Sequence, residues 1–365
     1  MAAMLGAPEP TAADDPNIPS DEKPEVAADK IGVDPPSRSS LRKSAKWWRS
    51  LQCIGMNLHF LASPRPPNPT FTKTIESTLS GRKGTFTLQF YVPEEYKSSK
   101  SLRVSYPAVV NFHGGGFTLG KATDDARFAA YIVETCKAVF VSVDYRLAPE
   151  HPFPTAVEDG ADALLYVINH ADELRINPLK LATSGFSAGG NIAITATLRL
   201  ADHVFQHPRP TVPPYSIRAV VAWYPIIDYT LSRDERRATC AKPELCLSPT
   251  LTSLFDASYL FPPDLELSNP YVSPSGATDE QLARGIPPHV QIYTCEYDML
   301  LKEGADFAQR LQQKPMSKDV FYTMIPGVQH GWDKGPNPLK PPDQSRKLYG
   351  ICATRLKEVF DEINS

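Results

Sequence analysis

Gly185-Phe186-Ser187-Ala188-Gly189 sets a serine between two glycines, directly after the apolar run 181–184 and directly before an alanine-rich helical pattern. Strand, sharp turn and helix in that order are the context of a nucleophile elbow, where small residues flanking the serine at two positions are a steric requirement. The hydroxyl then stands at the carboxyl end of a strand, with the positive end of a helix behind it. Such a serine attacks a carbonyl only with a base to take its proton and donors to hold the resulting oxyanion. Both have candidates. His113-Gly114-Gly115-Gly116 leaves the buried run 108–112, and a glycine run in that place can turn its amides toward one point. His330 lies in Gly327-Val328-Gln329-His330-Gly331-Trp332, just past the run 320–325, so it leaves a late strand on the same edge as Ser187. Three acids could orient it: Asp298 and Glu296 follow the run 290–294, and Asp228 follows Tyr224-Pro225. A triad acid must reach the far imidazole nitrogen, so it should come from the strand beside that of the histidine, which favours Asp298. Asp228 reads better as a turn residue or an anchor for an insertion.

Rival chemistries fit less well. Gly115 to Lys121 nearly spells a phosphate loop, but Ala122 stands where the metal-binding hydroxyl should be. The dinucleotide pattern fails too, because Gly120 comes one residue late. Cys240 and Cys246 are close enough to suggest zinc or a disulfide, yet no histidine or second pair accompanies them. Acyl transfer through a serine needs no metal and no organic cofactor, and none is expected.

Around these residues the chain alternates between strand and helix patterns from residue 108 to residue 360. Such alternation predicts a mostly parallel sheet with helices on both faces. Two alternating runs, 71–79 and 85–92, precede it as a hairpin. Between residues 224 and 287 the rhythm breaks for some sixty residues, far longer than an ordinary crossover. That stretch is rich in proline and aromatics (Tyr229, Phe255, Tyr259, Phe261 and Tyr271) and is expected to form an inserted helical cap over 225–286. The core is then 70–224 with 287–365. Residues 1–40 hold eight acidic residues, seven prolines and no aromatic residue, a composition that predicts a disordered tail. Residues 41–69 read as a helix and a proline linker. Trp47, Leu51, Ile54, Leu58 and Leu61 recur at helical spacing on one face. The plain expectation is a helix packed over the main domain. The sharper one is weak contact with a membrane surface, prompted by the basic start Arg42, Lys43, Lys46 and Arg49.

The formal charge of −3 excludes a global basic field for nucleic acid. No run of 18 apolar residues could span a membrane, and the first thirty residues lack the pattern of a secretory leader. Six scattered cysteines then read as reduced thiols, implying a cytoplasmic location.

Together, His113-Gly114-Gly115-Gly116, residues 144–150 (Asp-Tyr-Arg-Leu-Ala-Pro-Glu), Gly185 to Asn191 and His330-Gly331-Trp332 resemble the hormone-sensitive-lipase family of α/β hydrolases. The four motifs stand in the family's order, and the resemblance spans roughly residues 70–360. It implies an α/β fold, the α/β-hydrolase fold, with an eight-stranded sheet and a helical cap, and it implies hydrolysis of a small-molecule carboxylic ester. By position it assigns the triad to Ser187, Asp298 and His330. It assigns the oxyanion donors to the backbone amides of Gly115, Gly116 and Ala188. Trp332 departs from the pattern, standing where the family usually has Phe. The chain is also similar to fungal members, some of which act on secondary-metabolite esters. Sheet-edge homodimers are common in the family. Two alternatives keep the fold: an acyltransferase or cyclase using the same triad, and a ligand-binding receptor that has lost it.

Overall fold

In the computed structural model, which describes residues 36–98, 104–207 and 212–362, the alternating patterns become eight strands in one sheet. They are β1 (Phe71–Glu76), β2 (Thr85–Tyr91), β3 (Tyr106–Phe112), β4 (Val139–Asp144), β5 (Ile176–Phe186), β6 (Ile217–Trp223), β7 (His289–Tyr297) and β8 (Asp319–Gln329). Their order across the sheet is β1-β2-β4-β3-β5-β6-β7-β8. β2 pairs antiparallel with both β1 and β4, and every later pair is parallel. This is the α/β-hydrolase fold, an eight-stranded, mostly parallel sheet flanked by helices. The helices are α1 (Arg38–Leu61), α2 (Glu94–Ser98), α3 (Ala126–Cys136), α4 (Thr155–Asn169), α5 (Ala188–Gln206), α6 (Arg233–Ala238), α7 (Pro249–Tyr259), α8 (Asp279–Gly285), α9 (Leu301–Gln312) and α10 (Asp343–Asp361).

The period-two alternation of the strands divides the core into two layers. In β3, Ala108, Val110 and Phe112 face the layer shared with α4, α5 and α9, while Val109 faces the layer under α3 and α10. In β6, Val220 and Ala222 go to the first layer and Ala219, Val221 and Trp223 to the second. The second layer is largely aromatic: Trp223 stacks on Tyr293 at 3.9 Å between centroids and on Phe186 at 5.6 Å. Burying each such side chain contributes roughly 1.5–3 kcal/mol. Because the layer lies directly beneath the end of β5, it fixes the strand that carries Ser187.

The region 225–286 contains α6, α7 and α8, and α1 packs against α7. Arg38 donates to the carbonyls of Ala257 and Ser258 at 3.1 Å each. Residues 1–35, most of the expected disordered tail, lie outside the described residues. The helix begins at Arg38, inside that stretch, because Ser37 caps it: the Ser40 amide donates to the Ser37 hydroxyl at 3.2 Å.

α1 packs through a face other than its apolar stripe. Leu41, Ala45, Met56 and His59 face inward, whereas Trp47, Leu51, Ile54, Leu58 and Leu61 are all exposed. The inner face is chosen by polar anchors instead. Arg49 donates to the carbonyls of Thr118 and Ala148 at 2.8 Å each and pairs with Glu150 at 2.8 Å. Gln52 donates to Asp124 at 3.2 Å. The His59 Nδ1–H donates to the Gly335 carbonyl at 3.0 Å, while its Nε2 accepts from Arg127 at 3.1 Å.

Candidate active site

β5 ends at Phe186 and α5 begins at Ala188, so the chain must reverse within one residue. Ser187 pays for this turn with a left-handed backbone, φ +55° and ψ −118°, a conformation costing a non-glycine residue on the order of 1–3 kcal/mol. Its neighbours show why they are glycines. A methyl group on Gly185 would stand 2.0 Å from the Gly189 carbonyl oxygen, and one on Gly189 would stand 2.0 Å from that of Phe112. The elbow is therefore seated directly on the end of β3.

β3 leads into the glycine loop at that point. Gly115 and Gly116 take φ +117° and +59°, and the loop lies against the elbow, since a methyl group on Gly114 would be 3.5 Å from the Ser187 Cβ. Buried His113 braces the loop from below: its ring stacks on Tyr145 at 4.3 Å, and the Tyr145 hydroxyl donates to the His113 carbonyl at 2.8 Å. The 144–150 segment is the frame around it. Arg146 makes a buried pair with Asp159 at 2.6 Å, and the Ala148 amide donates to the Phe117 carbonyl at 2.8 Å.

His330 follows β8, and Asp298 follows the neighbouring β7. The Ser187 hydroxyl donates to His330 Nε2 at 2.8 Å, and His330 Nδ1–H donates to Asp298 Oδ2 at 2.6 Å. A carboxylate can only accept, so it fixes the proton on Nδ1 and leaves Nε2 free to take one. The other oxygen of Asp298, a buried residue, accepts from the Leu300 amide at 3.1 Å. Ser187, Asp298 and His330, distant in the chain, are thus brought into one hydrogen-bonded line. This arrangement can move a proton from the hydroxyl to the imidazole and stabilise the resulting positive charge. The rival acids lie elsewhere. Asp228 accepts from the amide and hydroxyl of Thr230 at 2.9 and 2.5 Å in a local turn, and Glu296 accepts from the Gly327 amide at 2.6 Å. Cys240 and Cys246 are buried free thiols, and burial pushes that of Cys246 up to about 12.

The sequence reading missed a buried cluster beneath the imidazole. Tyr224 ends the β6 turn with φ +37°, and its ring meets that of His330 edge-on at 4.8 Å. The hydroxyls of Tyr224 and Tyr349 both donate to Asp333, and Lys334 pairs with Asp333 at 2.7 Å and with Asp125 at 3.0 Å. Burial opposes the Asp333 charge, but Lys334 and the two phenols outweigh it and hold its carboxyl below the usual carboxylate range. Only the position of Asp333, three residues past His330, hinted at this in the sequence.

Above Ser187 and His330 opens a cavity of about 400 Å³. Its floor is the glycine loop and the elbow, and its walls are Trp48, Leu51 and Met56 of α1 with Leu251 and Phe255 of α7. The Phe255 ring lies on the glycine loop, 2.2 Å from where a methyl group on Gly116 would stand. Gln52, Asp124 and Lys334 are the polar members of a largely apolar wall, and burial pushes the Asp124 carboxyl up to about 6.

With this geometry the chain can be compared with known proteins. It is 34% identical over 215 residues to an AB hydrolase superfamily protein of Schizosaccharomyces pombe, covering 59% of this chain and 60% of that one. It is 28% identical over 259 residues to an arylesterase of Saccharolobus solfataricus, covering 71% and 76% of the two chains. It is 34% identical over 233 residues to the carboxylesterase NlhH of Mycobacterium tuberculosis, covering 63% and 68%. Among solved structures, the esterase of Pyrobaculum calidifontis superposes with a TM-score of 0.68 at 28% identity, covering 87% of this chain and 93% of that one. The profile of the alpha/beta hydrolase fold family matches residues 109–334, so the chain belongs to that family.

Proposed function

We propose that this protein is a serine carboxylesterase that cleaves esters of apolar, short-to-medium acyl groups through Ser187, His330 and Asp298. The enzyme is a carboxylic ester hydrolase, as are the named esterases and carboxylesterases it is similar to. The observation that carries the detailed reading is the line of two hydrogen bonds, 2.8 and 2.6 Å, ending on a strained serine at the floor of a largely apolar cavity. As the hydroxyl attacks the ester carbonyl, His330 Nε2 takes its proton, and Asp298 holds the imidazole in the required tautomer. The amides of Gly115, Gly116 and Ala188 receive the tetrahedral oxyanion, each well-aimed donor supplying roughly 3 kcal/mol. The alcohol leaves with the proton from His330, and water repeats the sequence on the acyl-enzyme.

In this reading α1 and residues 225–286 form a lid over the core, and Phe255 closes the acyl side. The free cysteines suit a reducing, cytoplasmic location. Among the described residues no helix is long and apolar enough to cross a membrane.

The test is a series of p-nitrophenyl esters of increasing acyl length, assayed with the intact chain and with Ser187→Ala. The intact chain should show a single optimum among short or medium acyl groups, and the variant should be inactive with an unchanged fold. Undiminished turnover in Ser187→Ala would overturn the assignment. A product shift toward transesterification, dominant even with dilute competing alcohol, would make the protein an acyltransferase instead.

A further inference from the structure

Apart from Leu51, the outward stripe of α1 takes no part in the cavity below it. Its five large apolar side chains, Trp47, Leu51, Ile54, Leu58 and Leu61, are 39–59% exposed. At about 100° per residue they fall within roughly 80° of arc along most of the helix. Scattered apolar side chains on a surface need no explanation, but a contiguous band marks an interaction site. The charges on the helix itself have one sign. No carboxylate occurs anywhere in α1, and Arg42, Lys43 and Lys46 are exposed in its first half. A groove runs along the second half, lined by Ile54, Leu58 and Leu61 together with Arg65, and again by no acid. The band therefore has cations at both ends. Leu51, at its inner edge, also lines the cavity over Ser187.

We propose that this face docks on an anionic lipid surface, the apolar stripe entering the acyl boundary and the basic side chains resting among the headgroups. A helix lying in the interface has this division of apolar and cationic sectors, with tryptophan at the level where the two meet. A second copy of the chain fits poorly, since two such faces would bring like charges together with no carboxylate to pair them. Docking places the mouth of the cavity beside the lipid, so an apolar ester passes into the site without crossing water. That delivery step rests on the esterase reading; the docking itself does not.

Flotation of the full chain with vesicles tests it. The protein should float with phosphatidylglycerol–phosphatidylcholine vesicles at low salt, and much less with phosphatidylcholine alone. The Ile54→Asp/Leu58→Asp variant should lose at least about tenfold in binding, and Lys43→Gln and Lys46→Gln about fivefold each. Ser187→Ala should float as well as the parent, which separates docking from catalysis. Turnover of soluble p-nitrophenyl acetate should be unchanged in Ile54→Asp/Leu58→Asp. If that variant fails to fold, Trp47→Ser carries the same comparison. Absence of flotation with anionic vesicles overturns the proposal. So does flotation indifferent to the stripe variants, or a dimer in solution that they split while vesicles are ignored. Retained flotation with no ester hydrolysis would overturn the esterase reading and leave the docking standing.

Discussion

Replacing Asp298 by asparagine changes one atom, and its consequence can be worked from the two partners of the carboxylate. Oδ1 accepts from the Leu300 amide at 3.1 Å, and Oδ2 accepts from His330 Nδ1–H at 2.6 Å. An asparagine must keep its oxygen toward Leu300, because turning the amide over would set two buried donors face to face, costing roughly 1–3 kcal/mol. The NH2 group then points at His330 and forces Nδ1 to accept. The imidazole proton moves to Nε2, and that nitrogen can no longer take the proton of Ser187. Catalysis through the minor orientation bears that cost. It also loses the negative charge facing the imidazolium, worth about 4 kcal/mol at 4 Å and an effective dielectric of 20. The two effects together amount to about 6 kcal/mol, or a fall of about 10⁴ in kcat at 1.36 kcal/mol per decade. KM should change little, since Asp298 is buried behind the histidine. Asp298→Ala separates the two effects. It removes the charge but imposes no tautomer, so it should turn over p-nitrophenyl butyrate at least about tenfold faster than Asp298→Asn. An asparagine variant within tenfold of the parent, or an alanine variant slower than it, would refute the tautomer argument.

Other consequences can be checked separately. Tyr224→Phe removes one donor to the buried Asp333 carboxylate while leaving Tyr349 and Lys334 in place; unfolding in urea should show a loss of about 1.5–3 kcal/mol. Gly116→Ala drives a methyl group into the Phe255 ring and should displace an oxyanion donor, lowering kcat by about 10²–10³; Phe255→Ala should instead move the acyl-length optimum toward longer chains. Burial pushes His59 down to about 4, so its folded value lies below the unfolded one and the folded state resists the proton. The stability it contributes is present above about pH 6.5 and is lost as pH falls toward 4, by at most about 3 kcal/mol. A urea midpoint followed over that window should fall in the parent and stay flatter in His59→Gln.

Most of the sheet was legible because its strands are buried on both faces and read as apolar runs with turn signals between them. The runs 85–92 and 108–112 become Thr85–Tyr91 and Tyr106–Phe112, each within two residues of the expected ends. The rest were displaced by a few residues at their ends, where polar residues continue the backbone pairing. β5 is the largest miss: it begins at Ile176, five residues before the apolar run, and includes Pro178 and Lys180. The line of Ser187, His330 and Asp298 was also within reach, because each residue leaves a strand on the same edge and the strand before Asp298 directly precedes that of His330 in the chain. Asp333, Lys334 and Asp125 were not. They are charged residues that pair only in three dimensions, and no spacing marks them.

The inner face of α1 was hidden for a different reason, and that reason explains how the site is held. Periodicity locates an apolar face, but it cannot say whether protein covers it. Here the attachment is made by the opposite face, whose long polar side chains reach backbone carbonyls and carboxylates of the core. Each anchor grips a segment of the active site. Arg49 holds the carbonyl of Thr118, just past the glycine loop, together with Ala148 of its frame. Gln52 holds Asp124 at the cavity wall, and His59 holds Gly335, five residues past His330. One helix thus holds the glycine-loop side and the His330 side of the cavity at once, adding specific hydrogen bonds to the apolar contacts of Leu41, Ala45 and Met56. The apolar face is left free because the inner face already supplies the attachment, so what touches the outer stripe bears on the same helix that walls the cavity over Ser187 and His330.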